Sequence, residues 1–215
     1  MSQRKFFLPF VFLLHTAAWA GEQNWVLTPY AGLSDLSNTS ATGYNFMTPT
    51  SSAAVKPDVG YLVGTDISYF FTNQFSAELG WEYRSNKSTV ILNNADQLQG
   101  GNYASNTIYL NGRYHWIKSG RWQPYVGVGL AWLQEVDIDI MMGGKELSLS
   151  ESGDIGYQLL LGADYQLKEK WKLQTELRYA DFGRINLNGE EGSIAQLKGI
   201  GYKPLTVQLG LSYTF

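Results

Sequence analysis

The sequence has no cysteine, so neither a disulfide framework nor thiolate chemistry is open to it. Small secreted soluble domains often lean on disulfides, and this chain must be held together another way. Charge is also scarce, at 16% against roughly 25% in an ordinary soluble domain. After Gly21 no stretch approaches the run of about twenty apolar residues that a membrane-spanning helix requires. A basic excess is missing too: the formal net charge is −3, which argues against a nucleic-acid partner. What is abundant is aromatic and small. Trp, Tyr and Phe make up 14% of the chain, and there are 23 glycines. Low charge, many Tyr and Trp, and no long apolar run describe a membrane barrel.

The first twenty residues read as an export signal. Arg4 and Lys5 form a short positive region, Phe6 to Leu14 an apolar stretch broken only by Pro9, and Ala18-Trp19-Ala20 a cleavage site before Gly21. The apolar stretch is too short for a membrane anchor. Residues 1–20 are therefore expected to be a cleaved signal peptide and 21–215 a single barrel domain. Losing Arg4 and Lys5 leaves 14 basic against 19 acidic residues, a net −5 for the mature chain.

Period-2 alternation recurs through the mature sequence, without helical patterns. At the C-terminus Leu205, Val207, Leu209, Leu211, Tyr213 and Phe215 share one face, and Thr206, Gln208, Gly210, Ser212 and Thr214 the other. Residues 154–167 repeat the arrangement. Further strands are expected near 25–34, 59–71, 75–84, 107–116, 122–132 and 171–179, which makes eight. Short connections fall at 72–74, 119–121 and 168–170. Long polar ones fall near 35–58, 85–106, 133–153 and 180–202. Short periplasmic turns and long external loops are the pattern of an eight-stranded antiparallel up-and-down transmembrane β-barrel.

Alternation does not by itself say which face points inward. Volume does: the interior of an eight-stranded barrel is just wide enough to be filled by side chains, and a face carrying Trp25, Trp81, Trp132 and Trp171 would overfill it. The apolar face is expected to meet lipid. Matching strands across the short turns so that apolar positions oppose each other pairs Glu82 with Gly64, Arg113 with Gly127, Glu176 with Gly162 and Asp66 with Gly80. Each charged side chain thus meets a residue that leaves it room. Asp66, Glu78, Glu82, Arg113, Glu176 and Arg178 are expected inside the barrel, forming cross-barrel ion pairs.

Several segments resemble known proteins. Gln123-Pro124-Tyr125-Val126-Gly127-Val128-Gly129, Glu176-Leu177-Arg178-Tyr179-Ala180-Asp181-Phe182-Gly183 and Gly210-Leu211-Ser212-Tyr213-Thr214-Phe215 resemble strands of the OmpA-like and Ail/OmpX-like small outer-membrane barrels. The resemblance implies an outer-membrane location and contact with outer-membrane lipid and lipopolysaccharide. It also implies that Leu209, Leu211, Tyr213 and Phe215 form the signal read by the barrel assembly machinery. Peptidoglycan anchoring is not carried over. A monomer is expected.

Catalytic and metal chemistry find little support. His115 is the one histidine after the signal peptide, with Ser119 the nearest serine in sequence. The His-x-Ser spacing of the lipid A deacylases is missing, because position 117 is Ile. No catalytic residue, cofactor or metal is expected. Asp137 and Asp139, with Glu135 nearby, could share a hard cation, but a solvated acidic face explains them better. Val136 and Ile138 alternate with these acids, as Leu147 and Leu149 do with Glu146 and Ser148. Around Met141-Met142-Gly143-Gly144 this predicts a hairpin protruding beyond the membrane, one that could offer an edge to another protein. The expected role is structural or adhesin-like, carried by external loops. A narrow channel is the alternative, and a lipid-modifying enzyme comes after it.

Overall fold

Alternating sequences of this kind are stable only when every strand finds a neighbour on both sides, and here every strand does. The computed structural model describes residues 24–46, 49–93, 96–116, 120–142, 144–190 and 192–215; the predicted signal peptide and Ser119 lie outside them. Thirteen strands form one antiparallel sheet. They are β1 (Trp25–Leu36), β2 (Thr39–Tyr44), β3 (Thr50–Pro57), β4 (Gly60–Phe70), β5 (Phe75–Leu92), β6 (Asp96–His115) and β7 (Trp122–Met142), followed by β8 (Lys145–Glu151), β9 (Asp154–Lys168), β10 (Trp171–Asp181), β11 (Arg184–Gly189), β12 (Gln196–Gly201) and β13 (Pro204–Thr214).

The sheet closes twice. One ring of pairings runs β1, β4, β5, β6, β7, β9, β10, β13 and back to β1. A second runs β5, β3, β2, β12, β11, β8, β7, β6 and back to β5. Strands β5, β6 and β7 run through both. The remaining lower strands are each separated from an upper strand by two residues, at 37–38, 58–59, 152–153, 182–183 and 202–203, and the neighbours stay the same across the gap. This corrects the expected strand count and the expected loops. Much of 35–58, 85–106, 133–153 and 180–202 is not loop but wall.

The two storeys differ in what they turn inward. In the lower ring the inward positions carry Thr28, Asp66, Glu78, Gln158, Glu176 and Gln208, all buried, while Val128, Leu159, Leu161, Val207 and Leu209 point out and are exposed. In the upper ring Val55, Leu92, Ile138, Leu149, Leu187 and Leu197 point inward and pack into one apolar cluster. β5 makes this exchange on one parity, from Glu78 and Glu82 to Val90 and Leu92, whereas at the gaps 37–38, 58–59, 152–153 and 182–183 and in β7 the inward parity changes. These gaps supply the slip, and Gly153 (φ 94°) and Gly183 (φ 72°) turn the chain at two of them in the left-handed region. β7 stays continuous and uses a bulge instead. Leu133 pairs with Thr107 and Glu135 with Asn106, leaving Gln134 over. Beyond it Val136, Ile138 and Ile140 face inward, and β7 pairs with β8 as a hairpin that joins Ile138 to Leu149 and Ile140 to Leu147.

Candidate functional site: an ionic lumen under an apolar roof

The lower interior is filled by an unbroken line of charges of alternating sign. Arg84 meets Glu82 at 2.5 Å, Glu82 meets Arg178 at 3.3 Å, and Arg178 holds Glu176 at 2.8 Å. Glu176 then meets Arg113 at 2.8 Å, and Arg113 pairs with Glu78. All six are buried. Charges in so dry a place persist only with good geometry and further hydrogen bonds, and each terminus of the line has them. Arg84 donates to Ser34 Oγ and Thr206 Oγ1, both at 2.9 Å. Asn111 Nδ2 donates to Glu78 Oε1 at 2.8 Å and is braced in turn by Gln158. In the middle, Tyr125 donates to Glu176 Oε2 at 2.8 Å and Gln208 donates to Oε1 at 3.2 Å.

Tyrosines complete the packing. The guanidinium of Arg178 stacks 4.2 Å from the Tyr109 ring and 5.6 Å from Tyr30, while Arg113 lies 4.8 Å from Tyr125. The hydroxyls of Tyr30 and Tyr109 bond to each other at 2.9 Å. Their placement explains the glycines. The register sets Gly64 between Tyr30 and Glu82, Gly80 between Tyr109 and Asp66, and Gly162 between Tyr125 and Glu176. A Cβ on Gly64, Gly80 or Gly162 would stand 2.3 Å from the neighbouring tyrosine. The room at these glycines is therefore taken by rings, not by acids. Only at Gly127 does a charged side chain, Arg113, lie against the gap, at 3.1 Å.

Of the residues singled out in sequence, Glu78, Glu82, Arg113, Glu176 and Arg178 come together in this line. Asp66 faces the same lumen but forms no ion pair or hydrogen bond among the described residues. Leu209, Leu211 and Phe215 are exposed on the outer wall, and Tyr213 stacks between Trp171 and Phe215. Sequence reasoning missed Arg84 and the three inward tyrosines. The parity of Arg84 with Glu82 on an extended β5 was the available signal for the first. His115 Nε2 bonds Ser76 Oγ at 2.9 Å, with the ring packed against Phe70 and Tyr125. Both residues are buried.

Above the ionic line, Phe182, Tyr202 and Tyr103 stack at 5.5 and 5.6 Å as the underside of the apolar roof. Between line and roof lies a cavity of about 10 Å³ bordered by Arg84, Tyr109 and Phe182, the space of a single water. On the outer face of the upper ring, Asp139 accepts a 2.7 Å bond from Ser148. Burial, and then the charges of Asp139, Glu135 and Glu190, push the Asp137 carboxyl up to about 7.

Residues 6–215 match the outer membrane protein beta-barrel domain family. The chain belongs to that family. It is 25% identical over 158 residues to the outer membrane protein AlkL of Ectopseudomonas oleovorans, covering 74% of this chain, and it spans 64% of the length of that curated relative. Among solved structures, Neisserial surface protein A superposes with a TM-score of 0.54 at 14% identity, over 90% of this chain and 98% of the other. AlkL, solved by solid-state NMR in DMPC bilayers, superposes with a TM-score of 0.53 at 18% identity, over 94% and 95%. Both share the barrel fold. As a member of the outer-membrane barrel family, the protein is an integral β-barrel of the bacterial outer membrane.

Proposed function

We propose that the protein is a closed barrel whose chain crosses the outer membrane eight times and whose role is structural and adhesive. The upper storey stands outside the cell as a rigid display surface. One observation carries this reading: among the described residues, side chains occupy the interior of both storeys. Ion pairs plug the lower storey, aliphatic side chains plug the upper one, and the cavity between them holds no more than a water. Open aqueous channels belong to much wider barrels.

Two features support the membrane placement. Trp25–Tyr69, Trp122–Tyr165 and Trp171–Tyr213, each with ring centroids 4.8 Å apart, form a girdle at the end that carries the short turns. At the other end the outward face changes from Leu and Val to Asp137, Asp139, Asn186, Asn188 and Lys198 at the level of the strand breaks. Lipid and lipopolysaccharide surround the lower storey in this reading, and a surface molecule or host protein meets the upper one. The outward Leu209, Leu211, Tyr213 and Phe215 suit engagement by the barrel assembly machinery, and a leader over residues 1–20 suits export. The protein acts as a monomer, and no catalytic step is assigned to it.

Planar-bilayer recording of the refolded protein tests the reading. Silence is expected for the native chain, and leakage only once Arg113→Ala or Glu82→Ala breaks the plug. A steady native conductance altered by either substitution would replace the structural role with a narrow channel. Outer-membrane fractions should give a band whose gel mobility shifts on boiling in SDS.

A further inference from the structure

Among the described residues, the lumen holds one negative charge more than its arginines and lysine can balance. Glu78, Glu82 and Glu176 are each held by arginine, and Asp164 lies 3.8 Å from Lys172. Asp66 is left over. It is 1% exposed, and both carboxylate oxygens lack a partner. Its neighbours on the strands offer no free donor, although Arg113 Nε elsewhere in the lumen is also without a partner. Its register partner on β5 is Gly80, which has no side chain, and its partner on β1 is Thr28, whose hydroxyl bonds Ser212 at 2.9 Å. Ser68, two residues along the same face, points its hydroxyl at Glu78 instead, at 3.5 Å.

The shortage extends beyond Asp66. Gln174 Oε1 and Gln208 Oε1 are also buried acceptors without donors, and both belong to inward positions of the lower ring. Acceptors outnumber donors in a place that water reaches poorly. An unpaired carboxylate there is strongly disfavoured unless a cation or a proton compensates it. Among the described residues, no three His, Cys, Asp or Glu side chains gather as a metal-binding group, which argues against a transition metal. Carboxylate and hydroxyl oxygens with a single net negative charge suit a hard monovalent ion.

We propose that Asp66 is the anchor of a sodium site inside the lower barrel, with the Thr28 and Ser68 hydroxyls as neighbouring oxygens. The ion neutralises the odd charge of the lumen and becomes part of its packing. Ring packing at the turn end and the apolar roof close both ways out, so the ion is taken up as the barrel folds. Loading must therefore be done during refolding.

The test is refolding into detergent with sodium chloride exchanged against choline chloride at constant ionic strength, followed by urea unfolding. For one bound ion, each tenfold rise in sodium above its dissociation constant should raise the folded-to-unfolded ratio about tenfold. The isosteric Asp66→Asn variant, which removes the odd charge, should lose this dependence and match the sodium-loaded native protein in choline. Sodium retained through gel filtration in choline chloride, counted by atomic emission on the native protein refolded in sodium, gives a readout that needs no variant. Equal midpoints in sodium and choline, with no retained sodium, would overturn the site and leave Asp66 to hold a proton. So would a sodium dependence that survives in Asp66→Asn.

Discussion

Each of the three tyrosines Tyr30, Tyr109 and Tyr125 lies across a glycine on the next strand, and beyond that glycine stands an acid. The arrangement lets a narrow barrel carry arginines, because the rings occupy the space beside the Arg113 and Arg178 guanidiniums and exclude water from it. It also makes the glycines specific. Replacing Gly80 by alanine drives a methyl to within 2.3 Å of the Tyr109 ring, and overpacking of this kind costs roughly 1–3 kcal/mol. The expected outcome in urea unfolding is a clear loss for Gly80→Ala and a smaller loss when Tyr109→Ala is combined with it than the two single changes would sum to. Strict additivity would mean that the ring does not fill the glycine's gap. The acid–glycine pairs were legible in the sequence, since matching apolar positions across a short turn fixes the register. The tyrosines were not. Their rings suit an apolar face and their hydroxyls a polar one, so residue type alone does not assign them to a face.

At the scale of elements, the decisive event is the exchange of faces. The alternation itself could be read from the residues, as could the hairpin around Met141 to Gly144. Where the phase slips could not, because a two-residue gap with polar residues looks like the start of a loop whether or not pairing resumes beyond it. In β7 the slip is the single extra residue Gln134. Deleting it should leave both pairing registers intact, so that ΔGln134 still folds to a heat-modifiable barrel. Deleting Gly129, inside the regular part of the same strand, turns the outward Leu130 and Trp132 into the lumen and should abolish folding. Equal behaviour of the two deletions would contradict the bulge assignment. The outer face of this strand also carries a pH dependence. Asp137 holds its proton more tightly folded than unfolded, so the stabilisation is complete below its ordinary value near 3.8 and is lost as the pH rises through about 7. Urea midpoints should therefore fall between pH 5 and pH 8, with the slope reduced in Asp137→Asn. A native midpoint that rises over this range would show that Asp137 is not held by burial and its acidic neighbours.

For the whole molecule, one continuous wall solves two solvation problems. A membrane barrel needs apolar residues outside and a filled polar interior, whereas a barrel in water needs the reverse. Stacking the two in register gives the external part a core of its own: Ile138, Ile140, Leu149, Leu187 and Leu197 are fully buried, and each such side chain is worth roughly 1.5–3 kcal/mol. The external segments are thereby held as sheet where free loops would pay a large ordering entropy. In the proposed placement the level of the face exchange marks the outer surface of the membrane, and this can be measured. The chain has no native cysteine, so a single introduced thiol reports its own surroundings. Lys198→Cys, on the outward face of β12, should react on intact cells with a maleimide that cannot cross the membrane. Leu159→Cys, outward on β9 below the exchange, should stay unlabelled in cells and react only after the membrane is dissolved and the protein unfolded. Labelling of both on intact cells would lower the membrane boundary and place part of the ionic storey outside. Protection of both would raise it and put the polar outer face of the upper ring in lipid, where its carboxylates and amides could not be solvated.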